Sequence, residues 1–213
     1  MLSIVNRGVF ILYNFEFFDK YTLYEFAKCF FHGFKLDSSI AGYVTSVPLL
    51  LSIVALWVFG SWCSAKAWRI VHGIYFALFV LIISAIEVAD IGMFGAWLSR
   101  IDTQVLIYTP KEMLSSLTLA NAIGGLCYVG ITTGVATWLY LKVVNKFFVP
   151  QLGEIKSLIR RVGYTLFLLF CGGVLFLVIR GGLTTATANL SKVHFSPDMT
   201  LNHIAVNPIF SML

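Results

Sequence analysis

Glu87 and Asp90 stand three residues apart, so on a helix their carboxylates face the same side. Arg100 and Asp102 follow shortly after, Asp37 precedes a long apolar run, and Arg180 closes another. Ionisable groups placed against such runs are costly, and they are as a rule either paired or functional. This constellation has two readings. In one, Arg100 or Arg180 meets the phosphate of a lipid headgroup through its guanidinium fork. In the other, Asp37, Glu87, Asp90, Arg100 and Arg180 pair among themselves and pin the helix ends to the C-terminal segment. Residue types alone leave both open.

Other chemistry is sparse. The chain has no Gly-x-Ser-x-Gly elbow, phosphate loop, His-Glu-x-x-His or dinucleotide glycine fingerprint, and no residue in it is assigned a catalytic role. His194, Asp198 and His203 follow one another at spacings of four and five residues, without a supporting Cys or further carboxylate. They read as surface-loop residues rather than metal ligands, and neither metal nor cofactor is expected in this chain. Cys29, Cys63, Cys127 and Cys171 are scattered with no Cys-x-x-Cys, which suits small packing residues better than a disulfide or zinc framework.

The composition names the solvent of the elements that carry these groups. Of 213 residues 59% are apolar and 12% charged, with a mean hydropathy of +0.87. Soluble domains carry about a quarter charged residues, so a water-soluble globule is excluded. Four runs, residues 40–60, 70–89, 117–141 and 162–179, reach the length at which a helix crosses a hydrocarbon core of roughly 30 Å. Among all Asp, Glu, Lys and Arg, only Glu87 falls inside them. Residues 2–18 form a shorter apolar stretch broken by Asn6, Arg7, Asn14 and Glu16, read as a partial span that begins late. The expected fold is an all-α integral membrane bundle over residues 1–180, with four full spans and a short or partial first helix.

Smaller features complete this layout. Residues 21–34 carry Leu23, Phe26, Ala27, Phe30, Phe31 and Phe34 at helical spacing, the pattern of a helix lying in the membrane interface. Pro48 falls inside the first full span, where a kink is tolerated. Gly130-x-x-x-Gly134 is a small-residue pattern that lets another helix approach closely, and packing within this bundle is its expected use. Residues 151–158 read as a short surface helix. The segment 181–213, with Ser196-Pro197-Asp198 and Asn207-Pro208, reads as an extended strap holding one short helix near 201–206.

The net charge of +5 is explained by its placement. Lys66 and Arg69 crowd one short loop, and Lys142, Lys146, Lys156, Arg160 and Arg161 oppose Glu154 alone in another. Residues 90–116 and 16–39 carry mixed charge. Lys and Arg are retained on the cytoplasmic side of short loops, so the expected topology has Met1 inside and the tail outside. No nucleic-acid partner is needed; membrane lipids are the expected partner.

Three stretches together carry a resemblance. The first is Gly33-Phe34-Lys35-Leu36-Asp37 just before a span. The second is Glu87-Val88-Ala89-Asp90, then Ser99-Arg100-Ile101-Asp102 and Tyr108-Thr109-Pro110-Lys111-Glu112. The third is Arg180-Gly181-Gly182, Asn189-Leu190-Ser191 and Leu201-Asn202-His203-Ile204-Ala205-Val206-Asn207-Pro208. In order and spacing the chain resembles the membrane-embedded N-terminal half of lipoteichoic-acid-synthase-like phosphoglycerol transferases and sulfatases, especially the Bacteroidetes-type members. The resemblance implies a five-helix domain in a bacterial inner membrane, followed outside by a domain of the alkaline phosphatase superfamily with a Thr nucleophile and a divalent metal. No residue here matches that nucleophile or its metal ligands, so the chain resembles the anchor without the reactive half. The alternative readings are a small self-contained transporter or channel component, and a membrane scaffold subunit.

Overall fold

A computed structural model describes residues 2–58, 65–103, 118–147, 157–183 and 187–212. Four helices are long and apolar enough to cross a membrane: α2 (Leu23–Val58), α3 (Ala65–Trp97), α4 (Leu119–Phe147) and α5 (Leu158–Arg180). Before them stands α1 (Leu2–Tyr13), followed by a 3-10 turn at Phe15–Phe17. The tail holds a 3-10 turn at Leu190–Val193 and two short helices, α6 (Met199–Ala205) and α7 (Pro208–Ser211).

The four long helices associate as two antiparallel pairs. Between α3 and α4, Val88 lies against Gly125, the Thr132 hydroxyl donates to Ser84 Oγ at 3.1 Å, and His72 meets Tyr140 at 3.1 Å. Between α2 and α5, Gly42 faces Ile179, the Ser39 hydroxyl donates to the Ile179 carbonyl at 2.7 Å, and Trp57 Nε1 donates to Thr165 Oγ1 at 2.9 Å. The two pairs touch each other sparingly. One of their links explains how α2 tolerates its proline. Pro48 has no N–H to give the Val44 carbonyl, and the Tyr75 hydroxyl of α3 donates to that carbonyl at 2.9 Å instead.

Outside these seams the helices face outward with apolar side chains. No residue of α5 is buried, and Leu126 and Phe170 are 74% and 70% exposed. Such a surface is untenable in water and ordinary in lipid.

The hydrophobic core sits at one end of this assembly, where α2 and α4 begin and α3 and α5 finish. Phe10, Ile11 and Phe18 meet Cys29 and Leu36 of α2, Ile91 and Phe94 of α3, and Val193, Leu201, Ile204, Ala205 and Val206 of the tail. The Phe10 and Phe94 rings cross edge to face at 4.8 Å. The tail is therefore a folded part of the core rather than a strap laid over it. Its two turn motifs are helix caps: Asp198 accepts from Thr200 N, and Asn207 from Ile209 N with Pro208 at the first helical position.

Two further expectations change. Residues 21–34 do not lie flat, because they are the first turns of α2, a continuous helix of 36 residues and about 54 Å. Thr22 and Glu25 form a reciprocal capping box there, the Thr22 N–H donating to Glu25 Oε2 at 2.8 Å and the Glu25 N–H to Thr22 Oγ1 at 3.4 Å. No proline or turn interrupts the chain before Asp37, and the buried residues Cys29, Gly33, Leu36 and Ile40 continue one stripe. Gly130 and Gly134 likewise meet no neighbouring helix among the described residues. Nothing lies within 4 Å of where their Cβ atoms would stand, and the close approach falls to Gly125, where a Cβ would meet Val88 at 2.8 Å. The proposed surface helix at 151–158 lies outside the described residues except at its last two positions, where Ser157 precedes α5 in extended backbone and Leu158 begins it.

At Gly33 an added Cβ would meet the Arg7 guanidinium and stand 2.6 Å from the Ala205 carbonyl oxygen. Gly33→Ala is expected to cost at least about 1–3 kcal/mol through overpacking, read as a lower melting temperature in detergent. Gly130→Ala, facing open space, is expected to leave that temperature unchanged or raised.

Candidate functional site: a buried charge network

One stripe of α1 carries Ser3, Asn6, Arg7 and Phe10, with Asn14 just past the helix end, and it turns these groups toward the other helices. Asn6 accepts from the Tyr128 hydroxyl of α4, and Asn14 Nδ2 donates to the Ile91 carbonyl of α3 at 3.2 Å. Arg7, 3% exposed, lies between them. Its Nη1 and Nη2 donate to Asp37 of α2 at 2.8 and 3.1 Å, a bidentate pair. Its Nε donates to the Ile204 carbonyl at 2.9 Å, and Nη2 also to the Ala205 carbonyl at 3.2 Å. Asn207 Nδ2 completes the Asp37 shell at 2.8 Å.

A second pair stands beside the first. Leu98, with φ 51°, ends α3 in a left-handed turn that folds the chain back on the helix. Arg100 Nη1 thereby reaches Asp90 Oδ2, and the Ile101 N–H donates to Asp90 Oδ1 at 2.8 Å. Arg100 Nη2 donates to the Val206 carbonyl at 2.7 Å, and its guanidinium lies 3.9 Å from the centre of the Phe10 ring. The two arginines thus hold three successive carbonyls at the end of α6. A helix C-terminus leaves such carbonyls without partners of its own, and its dipole favours cations there.

Glu87 lines the same pocket as Asp37, Asp90 and Arg100, together with Asn6 and Asn207. It is 3% exposed, and its Oε2 has no hydrogen-bond partner; the same holds for Asn6 Nδ2 and Arg100 Nε. The pocket has room for about one water, which could accept from the two nitrogens and donate to the carboxylate.

Four of the five expected residues, Asp37, Glu87, Asp90 and Arg100, come together. Arg180 does not: it ends α5 on the far side of α2, where its carbonyl accepts from Ala188 N at 2.7 Å. Arg7, Asn6 and Asn207 belong to the network and did not figure among the candidates. Asp198 has surroundings of its own, whereas His194 lies near enough to His203 to act on it. Asp198 accepts from the Tyr21 hydroxyl at 2.5 Å and lies 3.4 Å from Lys20 Nζ, and the Tyr21 bond chiefly holds its carboxyl down at about 2. His203 lies edge-on to Phe94, and burial with the nearby Arg100 charge lowers its pKa. Among the described residues no His, Cys, Asp and Glu group suits a metal ion. No family model, curated protein or solved structure matches the chain.

The contrast between the two α3 acids is testable. Asp90→Asn breaks a buried pair and is expected to lower stability by about 3–5 kcal/mol. Glu87→Gln replaces a buried carboxyl whose Oε2 has no hydrogen-bond partner and is expected to leave thermal stability in detergent unchanged or raised. Equal losses at the two positions would contradict the assignment.

Proposed function

We propose that this chain is the non-catalytic membrane anchor of an extracytoplasmic enzyme, of the phosphoglycerol-transferase and sulfatase kind that its motifs resemble. The anchor sits in a bacterial inner membrane with its Lys- and Arg-rich loops in the cytoplasm and the tail end of the bundle outside. The reactive domain, with its own Thr nucleophile and divalent metal, follows the tail. The segregation of basic residues supports the orientation, and the order of motifs around the spans supports the family.

The observation that carries the reading is the fixing of the tail. Arg7 and Arg100 hold the Ile204, Ala205 and Val206 carbonyls, so the chain leaves the membrane domain at a set height and direction rather than on a loose linker. An enzyme whose substrate is a lipid headgroup gains from this, because confinement at the surface raises the effective concentration of the substrate. Asp37, Asp90, Arg7 and Arg100 serve here as structural residues that dock the tail and take no part in chemistry. Membrane lipids and the outer domain are the partners.

Fusing alkaline phosphatase or a fluorescent protein after Leu213 tests the orientation. The phosphatase fusion is expected to be active and the fluorescent fusion dark; the reverse would overturn the proposal. The reading frame beyond the Leu213 codon is expected to encode a Thr nucleophile with Asp and His metal ligands.

A further inference from the structure

Glu87 lies within α3, a helix long and apolar enough to cross a membrane, and only 3% of it is exposed. An ionisable group so placed is expensive to charge unless a partner of opposite sign is dedicated to it. The charged and titratable groups around it are Arg7 from α1, Asp37 from α2, Asp90 one turn on in α3, Arg100 from the turn after α3, and Tyr128 from α4. Arg7 forks onto Asp37 at 2.8 and 3.1 Å and Arg100 binds Asp90, so both cations already have a carboxylate. Tyr128 donates to Asn6 Oδ1. An ionised Glu87 would leave this buried group with one negative charge in excess.

Hydrogen bonding alone does not remove that excess. Asn6 Nδ2, Arg100 Nε and Glu87 Oε2 are all without partners, and the pocket these residues line has room for about one water. A water accepting from the two nitrogens can donate to Glu87, but it brings no charge. A metal ion would bring charge, but here it would meet two N–H donors where it needs oxygen ligands. A proton on the Glu87 carboxyl brings one positive charge and takes no volume. The carbonyl end of α6, held against the same arginines, adds to the case because its dipole disfavours a nearby anion.

We propose that Glu87 is a proton-binding site and that the docked tail keeps its proton in place. Val206, Asn207 and Pro208 wall the pocket on one side, so lifting the tail would admit water and let the carboxyl ionise as a solvated one does. Docking and protonation are then linked: the docked state holds one proton more, and docking weakens as the pH rises. This inference concerns the pocket that fixes the tail and does not depend on an enzymatic domain.

Infrared spectroscopy of the full chain in a maltoside detergent tests the proton, and amide hydrogen exchange tests the link. At neutral pH the native chain is expected to show the carbonyl stretch of a protonated carboxyl that Glu87→Gln removes. Across the alkaline range the protection of residues 201–207 should fall by up to about tenfold per pH unit in the native chain relative to Glu87→Gln, the limit for release of one proton. Should the Gln variant not fold, Glu87→Asp must shift or abolish the stretch. A native chain without the stretch, or a stretch that survives Glu87→Gln or is untouched by Glu87→Asp, would overturn the proposal. So would an equal pH dependence of protection in the native chain and Glu87→Gln.

Discussion

Arg7 and Asp37 are each stripped of water, and the rest of the tail end is arranged around that cost. Transferring an ion into a low-dielectric interior costs several kcal/mol even after relaxation. The cost is offset only when the fork and the carboxylate are both nearly saturated with hydrogen bonds. Arg7 achieves this by spreading its donors over Asp37, Ile204 and Ala205, and Asp37 by also accepting from Asn207. Three distant pieces of chain must therefore meet at once. Gly33 makes the approach possible because it has no side chain where the guanidinium and the Ala205 carbonyl pass.

The second pair, Arg100 with Asp90, repeats the device from the other side of the core. Together the arginines treat α6 as a helix whose open C-terminus is closed by other parts of the fold. This gives a very short helix, of 7 residues, a stability that its own propensity could not supply. Glu87 is the exception in the network. It shares the same pocket without a cation of its own, which makes it the natural place for a bound water or proton.

Much of the bundle was legible in the sequence because hydropathy and length act locally. The four spans follow from apolar runs nearly free of charge, although α2 and α3 extend beyond them at both ends or one. The join at residues 34–39 is hidden because the amphipathic spacing of residues 21–34 suits a separate interfacial helix, while the Thr22-x-x-Glu25 box marks where α2 starts. The polar positions Ser3, Asn6 and Arg7 on one face of α1 were also readable, since polar groups on an apolar helix seek protein rather than lipid. Arg7 and Ile204 are 197 residues apart, however, and no local pattern announces that contact. In the tail, Ser196-Pro197-Asp198 and Asn207-Pro208 look alike as turns and as helix caps. Only the partners they meet decide between the two. Gly130 and Gly134 show the opposite error, a packing motif whose face meets nothing among the described residues.

The central claim is that the two arginines bolt the tail to the spans. Amide hydrogen exchange across residues 201–207, in detergent or nanodiscs, measures this directly. Those amides are expected to exchange as slowly as the neighbouring amides of α2 in the native chain, and to open when Arg7 is replaced by Leu. Rapid exchange in the native chain, or protection untouched by Arg7→Leu, would contradict the account.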